Sequence, residues 1–135
     1  MCEVELIILG HDFIKSEPFY LIKKSEDIIQ TPANSTVVFD FNEQNLELCR
    51  YCEEHNVLFT LIVKKSKDVL FANALKASYI ICDKTLAPKA QKLADDYMFD
   101  AKILLYSLCE DDIEWAADLG IDGIIFEKGI NYGSC

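Results

Sequence analysis

Val57-Leu58-Phe59-Thr60-Leu61-Ile62-Val63 is a run of seven residues without a charge, and its only polar group is the Thr60 hydroxyl. β-Branched and aromatic side chains dominate it, and they suit a pleated strand. A strand with one face in water would alternate apolar with polar residues. A near-continuous run is the pattern of a strand covered on both faces. Four more runs share the character: Val37-Val38-Phe39, Tyr79-Ile80-Ile81-Cys82, Ile103-Leu104-Leu105-Tyr106 and Gly123-Ile124-Ile125-Phe126. Counted from their first residues, the five are spaced by 20, 22, 24 and 20 positions. That interval holds one strand, a helix of about three turns and two short connections, which is the parallel strand–helix–strand unit.

The segments between the runs carry helical spacing. Residues 44–55 place Leu48, Cys49 and Cys52 on one side, with Asn42 as N-cap. Residues 68–77 do so with Val69, Leu70, Ala74 and Leu75. Residues 88–98 use Ala90, Leu93, Ala94, Tyr97 and Met98, with Pro88 in the first turn. Residues 110–119 use Ile113, Ala116, Ala117 and Leu119, with acids at the start and Gly120 just past the end. The beginning is less regular: a strand at 5–9, a short strand at 19–23, one or two helical turns at 25–30 and a loop at 31–35. The first two strands either continue the series or form a hairpin-like edge.

A closed eightfold barrel needs roughly 200 residues or more, and this chain has 135. The expected architecture is therefore one α/β domain over 1–135, with an irregular lead-in at 1–35 and regular repeats at 36–128. Its core is a mostly parallel sheet of five to seven strands with helices packed on it. The sheet is either open and doubly wound or half-barrel-like, and a half-barrel's apolar face would ask for a second copy to cover it.

Charge narrows the partners. Twenty-three acidic against 13 basic residues leave −10, a field that repels nucleic-acid backbones and anionic lipid. The one basic cluster, Lys64-Lys65-Ser66-Lys67, is suited at most to a small anion. No basic, apolar leader opens the sequence and no apolar stretch has the length of a membrane span, so the expected compartment is the cytoplasm. There the 6 cysteines are expected as thiols. Cys49-Arg50-Tyr51-Cys52 is a C-x-x-C in mid-helix on the apolar side, so it reads as core rather than as a redox or zinc motif. No phosphate-binding loop, dinucleotide fingerprint or nucleophile elbow occurs, and neither a cofactor nor a metal is expected. Val38-Phe39-Asp40-Phe41-Asn42 lacks the second aspartate of the haloacid-dehalogenase-type phosphatases.

Ligands of parallel sheets bind beyond the carboxyl ends of the strands. That rule selects His11 and Asp12, Asp40, Lys64, Asp83 and Lys84, Ser107, and Glu127 and Lys128. Among these, His11, Asp40 and Asp83 are the candidate acid–base groups, because histidine titrates near neutrality and carboxylates serve as bases. Asp12, Lys64, Lys84, Ser107, Glu127 and Lys128 are candidate ligand contacts. The lysines equally suit surface ion pairs.

Three later phrases carry a family resemblance: Ala77-Ser78-Tyr79-Ile80-Ile81, Ala101-Lys102-Ile103-Leu104-Leu105-Tyr106-Ser107 and Asp118-Leu119-Gly120-Ile121-Asp122-Gly123-Ile124-Ile125-Phe126. Residues 77–126 resemble the C-terminal strand–helix units of glycerophosphodiester phosphodiesterase-like barrels. The resemblance implies a barrel-type architecture. That family's catalytic acids and His-Arg-Gly opening have no counterpart here, so it implies no phosphodiesterase activity. The functional expectation is a non-catalytic, self-associating domain that binds a small molecule or a partner. The alternative is an enzyme on a small metabolite, with or without a phosphate, that uses the acid–base residues at the sheet's carboxyl edge.

Overall fold

The computed structural model describes residues 5–132, so Cys2 and Cys135 lie outside the described residues. Its strands are β1 (Ile7–Leu9), β2 (Phe19–Leu21), β3 (Val37–Asp40), β4 (Phe59–Ile62), β5 (Tyr79–Cys82), β6 (Lys102–Ser107), β7 (Gly123–Phe126) and β8 (Ile130–Asn131). The helices are α1 (Leu46–Glu54), α2 (Ser66–Ala74), α3 (Ala87–Asp96) and α4 (Asp112–Asp118), and short 3-10 segments cover Ser25–Gln30, Glu43–Asn45 and Glu127–Gly129. All eight strands join one sheet in the order β1-β7-β6-β5-β4-β3-β2-β8, and every pairing is parallel.

The expected five to seven strands are thus eight. The lead-in is not a hairpin: β1 pairs with β7 and β2 with β3, at different places in the sheet. The added strand is β8, two residues in a stretch whose glycines suggest a loose tail. A single turn after β7, it pairs Phe19 with Ile130 and Tyr20 with Asn131. The open, doubly wound alternative also gives way, because the sheet curls into a half-barrel with helices on its convex side alone.

Two separate cores show the curl. Outward strand residues, among them Phe39, Leu61, Ile80 and Ile103, pack with helix residues such as Cys49, Val69, Ala90 and Ala116. The second cluster holds Phe19, Val38, Ile81, Leu104, Ile125 and Ile130, with no helix residue in it. These side chains face the concave side and bury one another. Phe19 of β2 touches Tyr79 of β5, with ring centroids 5.1 Å apart, although β3 and β4 separate those strands in the sheet. The two sheet edges meet where Gly10, leaving β1, lies against Gly129, entering β8: a Cβ on Gly10 would be 2.3 Å from the Gly129 nitrogen. The concave face that would have asked for a second copy is therefore buried within one chain.

Local rules place most of the helices. Asn42 Oδ1 accepts the Asn45 N–H at 2.9 Å ahead of α1, Pro88 sits in the first turn of α3, and Gly120 ends α4 at φ +69°. α2 is rotated from expectation: Val69 and Ala72 are buried, whereas Leu70 and Ala74 are exposed. Leu70 and Phe71 make that helix apolar nearly all round, so the sequence defines no single stripe. In α4 only Ala116 is fully buried, and Ala117 and Leu119 face out.

One interior group is anomalous. Thr60 is fully buried on β4, and its hydroxyl has no hydrogen-bond partner among the described residues. A buried, unpaired hydroxyl costs about 1–3 kcal/mol. Thr60→Val keeps the shape and removes the oxygen, so it should raise stability by about 1 kcal/mol in urea unfolding. A loss of stability would show that the hydroxyl is satisfied in solution.

The C-x-x-C cysteines have the core positions that their helix face predicts. Cys49 and Cys52 lie in the outer core, and Cys82 joins them there from β5. Burial pushes the Cys49 thiol up to about 11 and the Cys52 and Cys82 thiols to about 12. Thiolate is the reactive form, so brief alkylation at pH 8 should leave all three unmodified in peptide mass spectrometry while exposed Cys109 reacts. Labelling of Cys49 or Cys52 at the rate of Cys109 would contradict their burial.

Candidate functional site

Strand side chains alternate between faces, and that alternation builds the site. Val38, Ile62, Ile81, Leu104 and Ile130 point into the half-barrel. Two residues further along the same paths come Asp40, Lys64, Asp83, Tyr106 and Tyr132. All five line one cavity of about 290 Å³ at the carboxyl ends of the strands, whose apolar floor includes Leu21, Ile62, Ile81 and Ile130. The mouth is therefore a polar layer laid on the apolar interior.

Its groups differ in how far they are committed. One Asp83 oxygen accepts the Leu86 N–H at 2.8 Å in the turn that leads into α3. Tyr106 and Tyr132 share a side-chain hydrogen bond, and desolvation, helped by that bond, pushes the Tyr106 phenol up to about 12. It remains a neutral donor at physiological pH. The Asp40 carboxylate and the Lys64 ammonium make no hydrogen bond or ion pair with a described residue. The opposite edge of the sheet behaves differently. There Asp122 accepts the Ile103 N–H at 2.9 Å, and its own N–H donates to buried Gln91 at 2.8 Å. Polar residues occur at both edges, and at the amino edge Asp122 ties a strand to a helix.

The remaining sequence candidates sit elsewhere. His11, Asp12, Ser107, Glu127 and Lys128 line a second, shallower depression of about 260 Å³ over the meeting sheet edges. His11 Nδ1 accepts the Phe13 N–H at 3.0 Å, so its Nε2 carries the proton and donates it to Glu110 at 2.6 Å. Both ring nitrogens are occupied in pinning the loop after β1 to the loop after β6. Ser107 is buried; it donates to Asp112 at 2.7 Å and accepts the Cys109 N–H at 2.9 Å. Lys128 pairs with Asp12 at 3.0 Å, both largely exposed. Lys84 pairs with Asp112 at 2.9 Å and lies over the Trp115 ring. Neither lysine bonds the acid that precedes it in sequence. Of the proposed acid–base trio, Asp40 and Asp83 share the mouth and His11 does not.

Sequence reading passed over Tyr106 and Tyr132. The indication was available in the inward alternation of β6 and of the β8 path, but only once a face was assigned.

A curled, all-parallel sheet with helices outside and a polar mouth at the strand carboxyl ends defines a protein of barrel type. No family model and no curated protein matches the chain. Among solved structures it is similar to a Schiff-base-forming fructose-1,6-bisphosphate aldolase, a TIM barrel, with a TM-score of 0.54 at 13% identity. The match covers 92% of this chain and 63% of that one, so the chain spans less than two thirds of the aldolase. The likeness is one of fold. It supports the barrel relationship that the sequence suggests and not the glycerophosphodiester phosphodiesterase family, for whose motif residues this chain has no counterpart. Among the described residues no helix is long and apolar enough to cross a membrane.

Proposed function

We propose that the protein binds a small molecule in the mouth of the half-barrel and does so without catalysis. The observation that carries this reading is the convergence of Asp40, Lys64 and Asp83 on one small cavity while the side chains of the first two lack partners among the described residues. Ionised side chains that face an apolar floor and have no internal partner are ready to meet a ligand's polar groups. At about 290 Å³ the cavity is at the small end of the roughly 300–1,000 Å³ common for ligand sites.

Catalytic roles find little support. His11 is outside the mouth, with both nitrogens bonded. The similar aldolase forms a Schiff base, but Lys64 is exposed rather than enclosed in an apolar pocket, the setting in which lysines perform that chemistry. The Tyr106 phenol is too weak an acid to release its proton near neutrality.

Amide NMR of the labelled protein against a set of small polar metabolites tests the reading. Binding compounds should shift the amides around Asp40, Lys64, Asp83 and Tyr106 together. Asp40→Asn or Lys64→Gln should weaken such binding by about tenfold, the loss of one charge-assisted hydrogen bond. Shifts confined to the His11 depression or to the helices, or affinity unchanged in both variants, would refute it.

A further inference from the structure

The arrangement of charge within the mouth goes further than its existence. We propose that the ligand is a small zwitterion, of the α-amino acid class, with its carboxylate on Lys64 and its ammonium on Asp40, the flanking aspartate that Leu86 does not hold. This rests on the mouth being a binding site and names what it binds.

The register fixes the pattern. Ile62 is level with Ile81, so Lys64 and Asp83, each two residues further on, stand level on neighbouring strands. Asp40 is level with Ile62, one inward step below Lys64 on the other side. Neighbouring strands are about 4.8 Å apart and two residues rise about 6.6 Å, so the chain of β4 delivers one cation a single strand spacing from the position of Asp83 and, on the other side, about 8 Å diagonally from that of Asp40. These opposite charges do not satisfy one another: no ion pair joins Lys64 to Asp40 or Asp83. The bond from Leu86 N–H holds Asp83 toward the start of α3, which keeps it from swinging onto Lys64.

An α-amino acid carries its ammonium and carboxylate on one carbon, a separation that the diagonal from Lys64 to Asp40 accommodates. It can meet Lys64 and one aspartate at once, and its side chain then lies over Leu21, Ile62, Ile81 and Ile130. A simple anion gains Lys64 but faces two carboxylates in a chain of net charge −10. A simple amine gains the carboxylates and brings nothing to Lys64. The cavity has room for one amino acid, and the bonded pair of Tyr106 and Tyr132 hydroxyls keeps capacity to bond a polar tip.

The test is titration of the labelled protein with the common α-amino acids, each beside its N-acetyl and its amide derivative. The first derivative removes the ammonium and the second the carboxylate. At least one free amino acid should shift the mouth amides and bind about tenfold more tightly than either derivative. Lys64→Gln should bring the free acid down to the level of its amide and leave the amide's own binding unchanged. Asp40→Asn, in turn, should weaken the free acid and the amide but spare the N-acetyl form. Equal binding by free acids and derivatives overturns the proposal. So does a mouth that shifts with uncharged or singly charged metabolites and not with any amino acid, although the mouth then stands as a binding site. A mouth that no compound shifts removes both readings together.

Discussion

Replacing Gly10 with alanine should cost the protein about 4 kcal/mol of stability, enough to remove much of the margin of a domain this size. Two effects coincide at that position. Gly10 has φ +80°, a conformation that costs a residue with a side chain about 1–3 kcal/mol. A Cβ there would also meet the Gly129 nitrogen at 2.3 Å and its Cα at 2.7 Å, both backbone atoms that cannot turn aside. Gly120 separates the two effects, because it has φ +69° and nothing within 4 Å of its added Cβ. Gly120→Ala should therefore cost only about 1 kcal/mol. Urea unfolding of the two variants side by side gives the comparison. Equal losses would mean that the meeting of the sheet edges contributes nothing.

Truncation of Leu104 to alanine should cost about 3 kcal/mol, in the middle of the range for buried leucines. Leu104 is fully buried in the concave cluster, where only other strand residues surround it. Leu108, four residues on and 76% exposed, is the internal control, and Leu108→Ala should be nearly neutral. The experiment also asks what covers the concave face. If a second copy supplied the burial, the loss would depend on protein concentration. A loss that is the same at low and high concentration assigns the packing to the single chain, and a loss no larger than that of Leu108→Ala would mean that the concave side is not packed.

The repeat from β3 to β7 was readable because burial on both faces leaves continuous apolar runs, and because helices of similar length separate them. The same continuity concealed the faces. In Val57–Val63 nothing distinguishes inward Ile62 from outward Leu61, so the inward row that ends in Asp40, Lys64 and Asp83 could not be told from polar residues that merely follow strands. The carboxyl-edge rule named all three, yet it also named His11, Ser107, Lys84 and Lys128, which loop contacts and ion pairs occupy. β8 escaped notice for a different reason. Two residues with one apolar side chain carry no periodicity, and their role depends wholly on Phe19 and Tyr20, which lie at the other end of the sequence.

That pairing has a consequence for how the molecule is made. β3 to β7 each find a neighbour from the adjacent repeat, so contacts of low sequence separation can form as the chain leaves the ribosome. The ladders of β1 with β7 and of β2 with β8 instead join the two ends of the chain, at the highest contact order in the fold, and they carry the greatest loop-closure entropy. Closing the half-barrel is thus expected as the final act of folding, after synthesis has passed Asn131. Until then the apolar layer beneath the mouth is open to water, and the cavity has no floor.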